Sequence, residues 1–436
     1  VPHLLDALCE AGARPDGCNS LIPLCQLVVS GGPRVAVRAA CEPGLLHAAA
    51  QVAGGGTSAK AGAASGFLAM VLRELGRAEA GRTGASEGGE SEVARENVAA
   101  ATPAIVDAAA RGVVRLESSE YVRSAVVLLD ALLRTDGTRL AAVRAALAAR
   151  VLPALLRLMS RPDSLESAAS CIAFLSHLEP GRAELMNTRP ATFAALAVAL
   201  RRTAAAGTPG AAACVVRAVA ELIRGDQAAA AAFLDIALPG SVLPALAHHI
   251  SRPDGGICHG AAAVAAALVE AAEESGPQRL AAVAAAPGLL AAAAAAIVRA
   301  MTSSVSAPLL VRLHALDEIS TMDCDEAIMP TVGDLIEGLD RLTAVGAAAV
   351  ELIVGVEGLE AALAAVAAEP AAWARMDATA AAARVLGRLR GAAAAEAEAG
   401  EARGQPGLAA ACAACGRTQA EEGVRLRLCR GCRAVR

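Results

Sequence analysis

The sequence is nearly devoid of aromatic side chains and of lysine. Aromatic residues make up 1% of the 436 residues, and Tyr121, Trp373 and Lys60 are each the only residue of their kind. The interior must therefore be built from alanine, leucine and valine, which contribute to a hydrophobic fraction of 55%. Alanine and leucine favour helices, whereas the β-branched and aromatic residues that favour strands are few apart from valine. We predict an all-α protein with almost no sheet.

The chain also lacks the charge and the motifs of several function classes. Its net charge of -5 leaves no basic footprint for nucleic acid, and few aromatic rings are present to stack on bases. No phosphate-binding G-K-[ST] loop, H-E-x-x-H motif, G-x-S-x-G elbow or kinase signature is found. We therefore expect no nucleic-acid partner, and we do not expect an enzyme.

No long hydrophobic run argues for a membrane span. The longest uncharged run, from Leu280 to Val298, is mostly alanine and is interrupted by Pro287 and Gly288. We predict that it forms a buried helical hairpin, and we expect no membrane partner. Because the chain begins at Val1 and shows no secretory pattern, we expect it to be part of a longer protein.

Cysteine usage indicates a reducing compartment. Of the 12 cysteines, eight are scattered singly and four cluster at the C-terminal end, which is not the framework of a small disulfide-bonded protein. The expected location is intracellular, in the cytoplasm or the nucleus.

Three similar segments are spaced along the chain and indicate a repeat. They read VLPALLRLMSRPD at 151–163, VLPALAHHISRPD at 242–254 and LIPLCQLVVSGGP at 21–33, with offsets of 91 and 130 residues. These offsets correspond to a unit of about 43 to 46 residues, the range of armadillo and HEAT repeats. Each copy has a proline near a predicted helix start, at Pro23, Pro153 and Pro244.

A second helix is predicted after the first in each unit. In the copy at 151–163 it covers Ser167 to Leu178, and one apolar stripe consists of Ala168, Cys171, Ile172 and Leu175. Such a helix pair buries its apolar faces only by stacking on its neighbours. The pattern resembles armadillo-type repeats over about residues 1–390, and that resemblance implies a right-handed superhelix with a protein-binding groove.

Composition divides the chain into five parts. We predict N-terminal helical repeats at 1–75, a disordered loop at 76–96, armadillo/HEAT-like repeats at 97–390, a linker at 391–411 and a small partial zinc finger at 412–436. The loop is assigned from its Gly, Glu, Ser and Arg content, which offers nothing to bury. The Gly, Ala and Glu content of the linker predicts a partly helical or flexible segment. The fold class is an armadillo/HEAT-like α-solenoid followed by the finger.

The C-terminal cysteines form two C-x2-C pairs. Cys412 and Cys415 are separated by thirteen residues from Cys429 and Cys432. Two thiolates three positions apart on a tight turn reach one metal at about 2.3 Å, and zinc favours four such ligands in a tetrahedron. Neighbouring arginines would favour the deprotonated thiolates. We predict that these four cysteines bind zinc. A redox C-x2-C is less consistent with the sequence, because the strand-then-helix context of thioredoxin is missing.

The C-terminal sequence CAACGRTQAEEGVRLRLCRGCRAVR resembles the first half of a MYND-type zinc finger. The family uses seven cysteines and one histidine to bind two zinc ions, and its first and second cysteine pairs serve different zincs. Only Cys412, Cys415, Cys429 and Cys432 match that set, so each site would be incomplete within this chain. The resemblance implies recognition of other proteins, commonly of short proline-rich peptides, without catalysis by the finger.

Two alternatives remain open for the function. The chain could be a fragment of a MYND-containing methyltransferase, although no such module is present. It could also be a purely structural helical-repeat protein, with the four cysteines forming a self-contained zinc ribbon or binding nothing.

Two weaker candidate sites are interpreted as ordinary surface. His248, His249, Cys258 and His259 lie within twelve positions but flank a predicted turn without regular ligand spacing, which favours helix-turn surface over a metal site. The acidic stretch from Asp317 to Glu326, near His314, has no calcium-loop glycine pattern and is interpreted as a solvated face.

Overall fold

The computed structural model describes residues 20–80, 89–117, 121–302, 328–368 and 377–404. Within these ranges every extended regular element is an α-helix, and no strand is present. The prediction of an all-α protein is confirmed for this part of the chain.

Twenty helices make up the described ranges. The first ten are α1 (Leu21–Cys41), α2 (Leu45–Gly55), α3 (Ser58–Ala80), α4 (Gly89–Arg115), α5 (Val122–Arg134), α6 (Asp136–Ala148), α7 (Leu152–Leu158), α8 (Leu165–His177), α9 (Glu179–Asn187) and α10 (Arg189–Ala206). The second ten are α11 (Pro209–Ile223), α12 (Gln227–Ala237), α13 (Val242–Ile250), α14 (Gly255–Ser275), α15 (Pro277–Ala284), α16 (Leu289–Thr302), α17 (Ile328–Thr343), α18 (Ala347–Val354), α19 (Leu359–Ala368) and α20 (Ala378–Gly404).

Local sequence explains where many of these helices begin. Proline stands in the first turn of α9, α10, α11 and α15, where its missing N–H has no helical partner to lose. Two aspartates cap helices directly. Asp226 accepts a hydrogen bond from the amide of Ala229 at 2.9 Å, and Asp254 accepts one from the amide of Ile257 at 3.2 Å.

From α6 onward the helices fall into triplets: α6–α8, α9–α11, α12–α14, α15–α17 and α18–α20. The third helix of each triplet packs against the third helix of the next, and α3 and α5 extend this row toward the N-terminus. The second helices α7, α10, α13, α16 and α19 form another row in the same way. We call the first row the third-helix row. The core lies between the two rows and is armadillo-like in its helix order.

The predicted repeat length is confirmed by the third helices. They begin at residues 122, 165, 209 and 255 in α5, α8, α11 and α14, so successive starts are 43, 44 and 46 residues apart. The predicted second helix from Ser167 to Leu178 corresponds to α8. Its predicted stripe is buried, with Ala168, Cys171 and Ile172 at 0% exposure and Leu175 at 1%.

One of the three segments used to find the repeat is out of register. Segments 151–163 and 242–254 contain the second helices α7 and α13. Segment 21–33 instead ends at a break in α1, where Gly32 has φ 60° and Pro33 begins the second half of the helix. Gly276 and Pro277 precede the first helix α15 in the same way. The segment therefore comes before a first helix and does not contain a second helix. The assignment of that copy is wrong, because an early proline followed by leucines suits any buried helix.

The predicted boundaries also need correction. Helices α3 and α4 include residues 76–80 and 89–96, so the prediction of a disordered loop over 76–96 is wrong at both ends, and 81–88 lie outside the described residues. The α4 end is anchored by packing, since Ala94 is buried and the Cys41 thiol donates to the Glu90 carbonyl at 3.0 Å. Helix α20 crosses the predicted linker boundary at 391, and residues 405–436 are outside the described ranges.

The uncharged run from Leu280 to Val298 covers the second part of α15 and most of α16, which are bent by 69° around Pro287 and Gly288. The run is interrupted where the sequence predicts, but a 69° bend does not fold the two helices back on each other and Ala282 and Ala285 are exposed, so the prediction of a buried hairpin is only partly correct. By length and composition, one described helix, α14 over Gly256–Ser275, is long and apolar enough to cross a membrane. The number of candidate spans in the described ranges rises to three if each of the two bent helix pairs is counted as one span. Half of that α14 window is buried inside the fold. The absence of a membrane partner stays a prediction.

Candidate functional site

The predicted zinc ligands lie outside the described part of the chain. Cys412, Cys415, Cys429 and Cys432 all fall within 405–436, so their arrangement is untested and the zinc site stays a prediction. The acidic stretch from Asp317 to Glu326 is likewise outside the described ranges. Among the residues that are described, no three His, Cys, Asp or Glu side chains come together as a group that could hold a metal.

The histidine and cysteine group around α13 is only partly surface. His249 is fully buried, and its Nε2 lies 3.1 Å from the Thr203 hydroxyl and 3.3 Å from the Leu200 carbonyl. The Cys258 thiol donates to the Ile250 carbonyl at 3.1 Å. The interpretation of His249 as helix-turn surface is therefore wrong, because the second-helix row covers it. Desolvation by burial lowers the pKa of His249 and of His259.

A concave site opens on the third-helix row, where α11, α14 and α17 lie side by side. Its cavity has a volume of about 500 Å³. Twelve residues from the three helices and the turn after α11 line it: Ala220, Ile223, Arg224, Gly225, Ala263, Ala266, Ala267, Glu270, Asp334, Glu337, Gly338 and Arg341. We call this cavity the acidic groove, after the three carboxylates in its lining.

Small residues keep the acidic groove open. Ala263, Ala266 and Ala267 supply the lining from α14, and Gly338 supplies a position without a side chain on α17. A Cβ built on Gly338 would come within 4.0 Å of the Ala266 Cα, which shows how closely the two helices approach. Because only methyl groups and backbone occupy this space, the groove has room for side chains of another molecule.

The charges around the acidic groove do not balance. Arg341 pairs with Glu273 at 3.2 Å, and Arg224 lies 4.0 Å from Glu221. Among the described residues no ion-pair partner is found for the three groove carboxylates, Glu270, Asp334 and Glu337.

The titration of Asp334 reflects this crowding. Desolvation, reinforced by the negative charges of Glu337 and Glu270, raises the pKa of Asp334 to about 6. Near neutral pH Asp334 is therefore mainly ionised, and together with Glu270 and Glu337 it makes the groove an anionic surface.

A different cluster lies further along the row, around Phe174 of α8. The guanidinium carbons of Arg134, Arg139 and Arg217 lie 5.5, 5.4 and 5.3 Å from the centre of its ring. Arg134 also donates to Ser170 at 2.8 Å and to Asp130 at 3.0 Å. These contacts join α5, α6, α8 and α11 through cation–π attraction and hydrogen bonds, so the cluster stabilises the packing of the repeats.

Sequence reasoning did not single out any residue of the acidic groove. Asp334, Glu337 and Arg341 have the spacing of an ordinary solvated helix face. The groove exists only because three helices from three repeats are adjacent in space. The one local signal was Gly338, a glycine in the interior of an amphipathic helix, where it lowers helix stability.

The comparisons with known proteins do not identify this chain. No protein-family model matches it, and no curated protein matches it. Solved structures of two engineered proteins are similar at 15% and 17% identity, with TM-scores of 0.41 and 0.42. The first similarity covers 66% of this chain and 97% of the engineered protein's chain. The second covers 88% of this chain and 98% of the other engineered protein's chain.

A designed armadillo repeat protein is similar at 16% identity and a TM-score of 0.42, over 61% of this chain and 99% of its own. Likenesses at this level carry no argument about function. The armadillo-like order of the fold rests on the helix triplets themselves.

Proposed function

We propose that this protein is a non-catalytic, zinc-binding scaffold that holds segments of other proteins along its third-helix row. The observation that carries the proposal is the acidic groove, a cavity of about 500 Å³ that spans three successive third helices. A continuous row of helices presents one surface over many repeats, which suits recognition of an extended segment. The C-terminal cysteines would add a second contact, for other proteins or short proline-rich peptides.

The groove part of the proposal is tested by filling the cavity. Ala263→Trp places an indole in the groove from α14, whereas Ala282→Trp places one on an exposed position of the first helix α15. Peptides selected from a display library on the full chain should lose at least tenfold in affinity with Ala263→Trp and little with Ala282→Trp. Equal binding by both variants would place the binding surface elsewhere.

The zinc part is tested by elemental analysis of purified protein. Cys412→Ser and Cys429→Ser should each lower the zinc content, and a longer chain that completes the finger should hold about two zinc ions. One zinc in the present chain would favour the self-contained four-cysteine ribbon. If neither chain holds zinc, the metal part of the proposal falls and the scaffold part stands.

A further inference from the structure

The chemistry of the acidic groove restricts what can occupy it. Glu270 lies on α14, while Asp334 and Glu337 lie on α17, so the carboxylates line the cavity from two helices. Within the described ranges, these carboxylates do not come together with a third His, Cys, Asp or Glu side chain in a group that could hold a metal ion. A compact cation therefore finds no cage here, and the groove suits a longer group that reaches several carboxylates.

Part of the lining is apolar. Ile223 of α11 and the alanines of α14 form this part of the cavity. Arginine and lysine side chains combine an aliphatic stem with a charged head, so the stem can lie on apolar surface while the head meets carboxylates. The fork of a guanidinium also donates to two carboxylates at once.

The two arginines of the lining do not remove this preference. Arg341 pairs with Glu273 at 3.2 Å, and Arg224 lies 4.0 Å from Glu221. Both arginines are close enough to oppose the rise in the pKa of Asp334, but neither forms an ion pair with Glu270, Asp334 or Glu337. Glu270, Asp334 and Glu337 together leave the cavity with excess negative charge. A segment that brought further carboxylates or phosphates to this place would be repelled.

We propose that the acidic groove holds an arginine or lysine side chain from an extended, basic segment of another protein. This inference rests on the proposed scaffold function and names the chemistry of the partner. The segment crosses α11, α14 and α17, with its basic side chain between the carboxylates and its stem against the alanine lining.

The test uses a defined probe, the fluorescein-labelled peptide (Arg-Ser)4, and its uncharged counterpart (citrulline-Ser)4, with binding to the full chain measured by fluorescence anisotropy. The arginine peptide should bind at least tenfold more tightly than the citrulline peptide. The variant Glu270→Gln/Asp334→Asn/Glu337→Gln should weaken arginine-peptide binding at least tenfold.

A matched control removes the same charge elsewhere. Glu351→Gln/Glu357→Gln/Glu360→Gln changes three exposed glutamates on α18, α19 and the turn between them, and it should alter the affinity less than twofold. Thermal unfolding checks that both triple variants remain folded. Equal losses in the two variants, or equal affinity for the arginine and citrulline peptides, would overturn the proposal.

The basic C-terminal stretch of this chain is another possible occupant, because Arg425, Arg427, Arg430, Arg433 and Arg436 occur there without an intervening acid. If changing these five residues to Gln raised the affinity for (Arg-Ser)4 at least tenfold, the chain's own tail would be the occupant and the proposal of an external partner would fall. The two proposals fail separately: if Ala263→Trp abolished binding of selected peptides while the charge variants did nothing, the groove would bind proteins by other chemistry, and only the proposal of a basic segment would fall.

Discussion

At the scale of single residues, close approach between helices depends on positions that have little or no side chain. Gly181, buried in α9, is the clearest case, because a Cβ built there would lie 2.2 Å from the carbonyl oxygen of Leu175 in α8. Backbone cannot move away as a flexible side chain can. Gly387 of α20 is also helical, yet a Cβ at that position meets no atom of the described ranges within 4 Å.

These two glycines give a matched pair of substitutions. Gly181→Ala should lower the free energy of unfolding by about 1 to 3 kcal/mol, because the added methyl group forces the turn between α8 and α9 apart. Gly387→Ala should raise it by about 0.5 to 1 kcal/mol through better helix propensity. Urea denaturation of the two variants measures both values, and a neutral Gly181→Ala would show that α8 and α9 are not packed as described.

His249 links stability to pH at the residue scale. Its Nδ1 has no hydrogen-bond partner within the described part of the chain. The Thr203 hydroxyl donates to backbone carbonyls of α10 and accepts from Nε2–H. Protonation would place a charged, unpaired N–H in the core, near the positive charges of His248 and Arg252. The pKa of folded His249 is consequently lowered.

A lowered histidine pKa means that the unfolded chain binds the proton more readily. The stabilising contribution of neutral His249 is fully present above the unfolded pKa of about 6.5, and it is lost progressively as the pH falls below that value. The difference in unfolding free energy between the native protein and His249→Gln should therefore shrink from pH 7.5 to pH 5. A difference that stays constant across this range would contradict the buried neutral imidazole.

At the scale of helices, neighbouring third helices are held together by polar contacts as well as by alanine packing. Asp340 of α17 accepts hydrogen bonds from Arg384 at 2.8 Å and from Arg388 at 2.6 Å, both on α20. Arg388 also donates to the Asp340 carbonyl at 2.9 Å and to the Thr343 hydroxyl at 2.9 Å. Since Asp340 is 8% exposed, this network attaches the last helix to the row.

Asp340→Asn should weaken the attachment of α20 by about 1 to 2 kcal/mol, less than for a fully buried pair because both arginines remain partly solvated. Asp107→Asn removes an exposed pair with Arg111 inside α4 and should change stability by less than about 0.5 kcal/mol. Hydrogen exchange should show faster exchange in α20 of the Asp340 variant while α4 is unaffected. Uniformly faster exchange along the whole chain would argue against independent terminal repeats.

The same scale shows what the sequence could predict. The repeat length and the buried stripe of α8 follow from apolar periodicity, which reports burial directly. The prediction of a disordered loop is wrong at the ends of 76–96, because alanine between the glycines and glutamates there supports helix. Helix α20 continues past 391 for the same reason, into a linker that was expected to be partly helical or flexible. The register of 21–33 was misassigned because one apolar helix start resembles another. Residues such as Asp334 and Glu270 could not be joined into a site, since they are 64 positions apart and meet only after the repeats stack.

At the scale of the whole molecule, stability and recognition follow the same geometry. Each triplet contacts chiefly its neighbours in the two rows, so the energetic unit is the repeat and its interface. The same stacking brings helices from three repeats together and makes a surface that no single repeat possesses. The low aromatic content is consistent with this arrangement, because alanine and glycine allow close helix approach and their small side chains leave the groove open.

The central claim is that protein segments bind along the third-helix row. The most direct measurement is hydrogen exchange of the full chain with and without a saturating peptide selected for binding to it, read out helix by helix. The account predicts slower exchange in α11, α14 and α17 when the peptide is bound, with the first helices α12, α15 and α18 unchanged. Protection confined to the first helices, or confined to the C-terminal cysteine region with no change in the third-helix row, would contradict it.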